Sequence, residues 1–184
     1  MFYQENFSYA NQYHHGIVIA HGKLENLSLI RSPHLFIYGG VNDLLIYFAG
    51  IETIVKNFNK NNQNPHGKLY RRTRYRIYHC RKARDFIKIV NNQSVRNLWI
   101  FGHGNISNLF LDDGNLAYKI FDGTPDYLKK NFIAQLHCNN KEGHLSTYYL
   151  CENLERSWMT PGLHTPGYTR NEVKEILNNQ EKFF

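Results

Sequence analysis

At 184 residues, with 42% hydrophobic and 15% aromatic side chains, the chain can bury a sizeable core and is too apolar to be disordered. No uninterrupted apolar stretch approaches the ~18 residues of a membrane-spanning helix, and residues 1–12 lack the basic-then-apolar order of a secretory leader. The formal charge of +7 is local: residues 68–84 carry Lys68, Arg71, Arg72, Arg74, Arg76, Arg81, Lys82 and Arg84 with no acid, so the rest is nearly neutral. Cys80, Cys138 and Cys151 are an odd, sparse set, which predicts reduced thiols in a cytoplasmic protein rather than a disulfide scaffold.

Residues 1–34 read as an aromatic and polar N-terminal extension, with a strand candidate at Gly16–Ala20 and a return near Leu27–Ile30. An α/β domain is expected over 35–184. Its first core strand is Leu35–Tyr38, closed by Gly39-Gly40, followed by a helix over Val41–Phe58. The apolar positions Leu44, Leu45, Phe48, Ile51, Ile54, Val55 and Phe58 form a wide helical stripe. After a polar loop ending in Pro65-His66-Gly67, Arg74–Cys80 is rich in aromatic and β-branched residues and predicts a second strand. Arg81–Val90 predicts a helix with Ala83, Phe86, Ile87 and Val90 on one face, and Asn97–Phe101 a third strand.

The pattern then changes. Leu109–Leu111, Asp112-Asp113-Gly114-Asn115 and Leu116–Ile120 predict a β-hairpin around an Asp-Gly turn. Asp122–Lys130 reads as a short helix or turn, and Phe132–Leu136 as the next core strand. Leu145–Trp158 predicts a helix with Leu145, Tyr148, Tyr149, Leu154 and Trp158 inward. Thr160–Gly167 is a loop with two Pro-Gly dipeptides, and Thr169 with Glu172 predicts a capping box opening a last helix through Gln180. Alternating strands and helices predict a mostly parallel sheet sandwiched by helices, with a hairpin after the third strand.

Two segments carry chemistry. Leu98-Trp-Ile-Phe-Gly-His-Gly104 and Asn131-Phe-Ile-Ala-Gln-Leu-His-Cys138 are short apolar runs that each end on a reactive side chain. Such runs fit buried parallel strands, and open α/β sheets place their sites past the carboxyl ends of those strands. An imidazole and a thiol delivered to one edge are the minimal set for covalent acyl transfer.

This arrangement resembles the caspase-like cysteine peptidases, which include caspases, gingipains, legumain, separase and CHAT-domain proteases. Over residues 35–158, Phe101-Gly102-His103-Gly104 matches the catalytic His-Gly, Cys138 the nucleophile, and Asp112-Asp113-Gly114 the hairpin turn after the His. The resemblance implies a cysteine endopeptidase acting on a peptide or protein substrate through a Cys138–His103 dyad, with no cofactor. It also implies an oxyanion hole from the backbone N–H groups of Gly104 and Cys138. The chain departs from the family where Gln-Ala is usual before the Cys: Leu136-His137 stands there. The further core strands usual after the Cys-bearing helix are not legible beyond Trp158.

Other readings of the same residues remain open. Cys138 and His103 could be structural. The chain could be a catalytically silent member of the fold that binds or regulates. His137, Cys138, His144 and Cys151 match no usual zinc spacing, so no metal is expected; His137 reads as packing beside the strand end or tuning Cys138. Cys151 reads as core, and Cys80 as a weaker alternative thiol. The 68–84 patch, where Arg72, Arg74 and Arg76 share one strand face with Tyr70 and Tyr78 in line, fits a solvated edge or a dock for an acidic partner, with Tyr75 and Ile77 turned inward. A small basic nucleic-acid-binding protein is the remaining alternative, and no membrane partner is expected.

Overall fold

A computed structural model describes residues 2–5, 14–21, 49–60, 74–105, 107–137, 149–151, 157–159 and 166–179. Among them lie β1 (Phe2–Glu5), β2 (His14–Ala20), helix α1 (49–60), β3 (Tyr75–Cys80), α2 (Ala83–Val90), β4 (Val95–Phe101), the hairpin strands β5 (Asn108–Leu111) and β6 (Gly114–Ala117), β7 (Phe132–Leu136), β8 (Ser157–Met159) and α3 (Pro166–Asn178). Six strands form one sheet in the order β1-β3-β2-β4-β7-β8. β2 runs parallel to β3 and β4, β4 to β7, and β7 to β8, while β1 closes one edge antiparallel to β3. The protein is therefore an α/β fold built on a mostly parallel sheet.

The buried runs behave as their composition dictates. Ile17, Ile19, Tyr75, Ile77, Trp99, Phe101, Phe132, Ala134 and Leu136 pack on one side with Ile51, Ile54 and Phe58 of α1 and Val173, Ile176 and Leu177 of α3. Val18, Ala20, Tyr78, Cys80, Leu98, Ile100 and Ile133 pack on the other with Phe86, Ile89 and Val90 of α2 and the apolar side chains of the hairpin. Successive residues of each strand thus serve opposite faces, and both faces are covered, which is why these strands carry no polar alternation. Trp99, wholly buried, lies 4.9 Å from the Phe132 ring and donates its indole N–H to His15 Nδ1 at 3.2 Å. Lys130 is also buried; its ammonium donates to the Val90 carbonyl at 2.7 Å and the Asn92 carbonyl at 3.3 Å, closing the C-terminal end of α2.

Several expectations are corrected. The 1–34 segment was expected as an extension, yet β2 within it is paired on both sides at the centre of the sheet. Its composition, His15-Gly-Ile-Val-Ile-Ala20, is that of a strand buried on two faces. The expected first core strand, Leu35–Tyr38, lies outside the described residues, as does the start of the first helix; α1 is helical through residue 60. β4 begins at Val95, two residues before its expected start. The second hairpin strand stops at Ala117, where Tyr118–Phe121 turns into a 3-10 helix that buries Tyr118 and Phe121.

The expected helix over Leu145–Trp158 is replaced at its end by β8. Ser157, Trp158 and Met159 pair in parallel with Ile133, Ala134 and Gln135. Backbone partners on the edge of β7 outweigh a helical apolar spacing there. Cys151 is buried and bridges Lys130, so its core placement holds although its helix does not. The last helix starts at Pro166, ahead of the expected Thr169 cap, because proline suits the first helical position, where its missing N–H costs nothing.

Candidate functional site

The parallel strands, taken in chain order, run outward in both directions from β2: β3 lies on one side, and β4, β7 and β8 on the other. The reversal falls between β2 and β4. Crevices for ligands open outside the carboxyl ends of strands at such a point. The chain binds these two ends tightly. A Cβ on Gly102 would stand 2.7 Å from Ala20 Cβ and 3.0 Å from the Ala20 carbonyl oxygen. Only glycine lets β4 leave the sheet this close to β2.

His103 follows at once and is half-buried. Its carbonyl accepts from Phe110 N–H at 2.9 Å, and Asn105 N–H donates to the Asn108 carbonyl at 3.0 Å. These two bonds make the antiparallel bridge Gly104↔Leu109 and leave the Gly104 N–H out of it. The loop between is shaped by Asn105, whose Oδ1 accepts from Ser107 N–H, Asn108 N–H and Asn108 Nδ2 at 2.9, 2.9 and 3.0 Å. A short polar side chain that folds back on its own backbone is well suited to such a turn.

On the neighbouring strand, β7 pairs with β4 in the register Phe101↔Leu136. His137, the next residue, is wholly buried and shares a 2.7 Å hydrogen bond between Nε2 and the Tyr118 hydroxyl. The two rings stack at an interplanar angle of 6°. Burial pushes the Tyr118 phenol well above its ordinary range, so it keeps its proton. A Cβ on Gly104 would stand 2.5 Å from His137 Nδ1 and 2.7 Å from its Cε1, and would meet the Asn108 carbonyl oxygen as well. His137 thus packs beside the strand end, as one of its two expected roles had it. Cys138 and His144 lie outside the described residues.

Sequence reasoning missed a second pair of histidines at the same edge. His21 follows β2, and its Nε2 lies 2.7 Å from Nδ1 of His79 in β3, with the rings stacked 5.0 Å apart. Burial holds both below the ordinary imidazole value of 6.5; Arg81 lowers His21 further against the opposing pull of Asp112, and His21 lowers His79. The signal was legible. Ile17-Val-Ile-Ala-His-Gly22 has the same form as Trp99-Ile-Phe-Gly-His-Gly104, an apolar run closed by a small residue, His and Gly. In the register Ile19↔Phe101, His21 and His103 each come two residues after a paired strand position.

The other candidate thiols are poorly placed for chemistry. Cys80 is buried at the end of β3 with its thiol pushed up to about 12, chiefly by burial, and Cys151 is buried as well. Among the described residues no group of three or more His, Cys, Asp or Glu could hold a metal ion. No helix among them is long and apolar enough to cross a membrane.

The basic segment is less uniform than its sequence. Tyr75 and Ile77 are buried as expected, and Arg81, Lys82 and Arg84 are exposed, while residues 68–73 lie outside the described residues. The hairpin turn brings acids to it. Asp113 accepts from the Ala83 N–H at the start of α2 at 3.0 Å, and Asp112 lies 3.9 Å from Arg81. No family model matches the chain, and no curated protein matches it.

Proposed function

We propose that the chain is a cysteine endopeptidase of the caspase-like kind, with Cys138 as nucleophile and His103 as general acid and base. One observation carries the reading. β4 and β7 are adjacent and parallel in the register Phe101↔Leu136, and His103 and Cys138 each follow these partners by two residues in the sequence. The hairpin after β4, the order of the parallel strands and the further strand β8 beyond β7 support the same fold assignment.

In this reading the Cys138 thiolate attacks the carbonyl carbon of a peptide bond, and the carbonyl electron pair moves onto oxygen. The Gly104 N–H, left out of its bridge, serves that oxygen together with the Cys138 N–H. The pair returns, the C–N bond breaks, and His103 gives a proton to the departing amine. Water, deprotonated by His103, then attacks the thioester carbonyl; the C–S bond breaks, the acyl group leaves as the carboxylic acid, and His103 returns the proton to the Cys138 sulfur.

Peptide mapping after iodoacetamide treatment of the folded protein, combined with a peptide-library cleavage assay, tests the reading. Cys138 should label first, and Cys138→Ala and His103→Ala should each abolish cleavage with the fold retained. Cleavage that persists in Cys138→Ala, or equal labelling of all three cysteines, would overturn it.

A further inference from the structure

We infer that Tyr118 and His137 form a buried latch that positions the oxyanion-binding backbone of the proposed site. The inference rests on the cysteine-peptidase reading and adds two positioning residues to it. Three observations converge. The Tyr118 hydroxyl and His137 Nε2 share a 2.7 Å bond inside the core. Their rings are nearly parallel, at 6°. And the imidazole fills the space that any side chain at position 104 would need, with Nδ1 2.5 Å from that position's ideal Cβ.

The chain therefore ties three segments together at one point. Tyr118 comes from the 3-10 helix after the hairpin, His137 directly precedes Cys138, and Gly104 directly follows His103. Tyr118 N–H also donates to the Ser107 carbonyl at 3.0 Å, so the residue that grips His137 is itself anchored to the loop after Gly104. An oxyanion hole works only if its donors are held where the charge develops, and a donor displaced by a fraction of an ångström loses much of its effect. A rigid imidazole wedged against the Gly104 backbone and tied to Tyr118 holds the Gly104 donor in place. Neither Tyr118 nor His137 touches substrate.

The test separates positioning from mere support. Alkylation by iodoacetamide displaces iodide at a saturated carbon and forms no oxyanion. A peptide aldehyde adds the thiol to a carbonyl and forms a hemithioacetal whose oxygen lies in the hole. In Tyr118→Phe, affinity for tripeptide aldehydes ending in Arg, Asp, Gln or Leu should fall roughly tenfold or more. The kcat for peptide cleavage should fall with it at unchanged KM, since the lost interaction belongs to the transition state. The iodoacetamide rate at Cys138 should stay within about twofold of the parent.

His137→Gln, which keeps a side-chain acceptor toward the phenol, should retain more aldehyde affinity than His137→Leu; this pair carries the test if Tyr118→Phe does not fold. Equal losses in both reagents would show that the latch only supports the fold, and no loss in either would show that it positions nothing. Either result overturns the inference. A parent protein that labels selectively at Cys138 yet binds no aldehyde would overturn both the inference and the peptidase reading, whereas loss confined to the variants leaves the peptidase reading intact.

Discussion

Gly104→Ala is the sharpest structural perturbation that the site offers. The added methyl would stand 2.5 Å from His137 Nδ1 and 2.7 Å from Cε1, and against the carbonyl oxygen of Asn108. Contact between nonbonded heavy atoms is favourable near 3.5–4.0 Å, so each neighbour would have to retreat by about 1 Å. Neither does so easily: the imidazole is wholly buried and bonded to Tyr118, and the Asn108 carbonyl holds the bridge to Asn105. Overpacking of a closed site costs about 1–3 kcal/mol, and two obstructed neighbours place this variant toward the upper end. For a chain of this size that corresponds to a Tm lowered by roughly 4–10 °C. Thermal and urea melts followed by far-UV circular dichroism read the loss directly. The same substitution in a His137→Ala background should cost less, by about 1 kcal/mol or more, because one of the two obstructions is gone. A Tm within a degree of the parent, or an equal cost in both backgrounds, would refute the matched fit of Gly104 and His137.

Lys130 is buried as a cation, and burial, aided by Arg96, lowers its pKa from an ordinary 10.5 to about 8. Between those values the unfolded chain binds more protons than the folded one, so the Lys130 contribution to stability rises with pH from 8 toward 10.5, by on the order of 3 kcal/mol; Lys130→Met should flatten that rise in urea melts across this range, and an identical slope would contradict it. His21 and His79 are held neutral by burial, below 6.5. Here too the unfolded state binds more protons, so their contribution is full above pH 6.5 and declines as pH falls below it; His79→Gln should reduce the acid slope of Tm between pH 7 and 5. Asp113→Ala removes a carboxylate that accepts from the Ala83 N–H at the start of α2, and should destabilise by about 1 kcal/mol. Faster amide exchange in α2 and the hairpin would accompany that loss, and unchanged exchange in both would argue against the tether.

Strand and helix content was largely legible in the sequence, because each element announces itself within its own span. Tyr75–Cys80 is rich in aromatic and β-branched residues, Leu98–Phe101 and Phe132–Leu136 are mostly apolar runs that suit a buried strand, and Phe86, Ile89 and Val90 repeat at helical spacing. The hairpin turn was readable from Asp112-Asp113-Gly114, and the ends of β4 and β7 from the His-Gly and His-Cys that close their apolar runs. The neighbouring of β4 and β7 was expected, but the central place of β2 was not readable, since its pairing partners lie tens of residues away. β2 sits at the centre because Val18 and Ile19 pair on both sides, to Tyr78 and His79 in β3 and to Ile100 and Phe101 in β4. Three-residue β8 has too few residues to show any period, and only the free edge of β7 makes it a strand. The Tyr118–His137–Gly104 contact joins three segments whose spacing carries no motif, so it exists only once the hairpin folds back over the end of β7. The charge of the basic segment was likewise countable, but the acids that meet it, Asp112 and Asp113, arrive from a turn thirty residues later, placed there by the packing of the hairpin against α2.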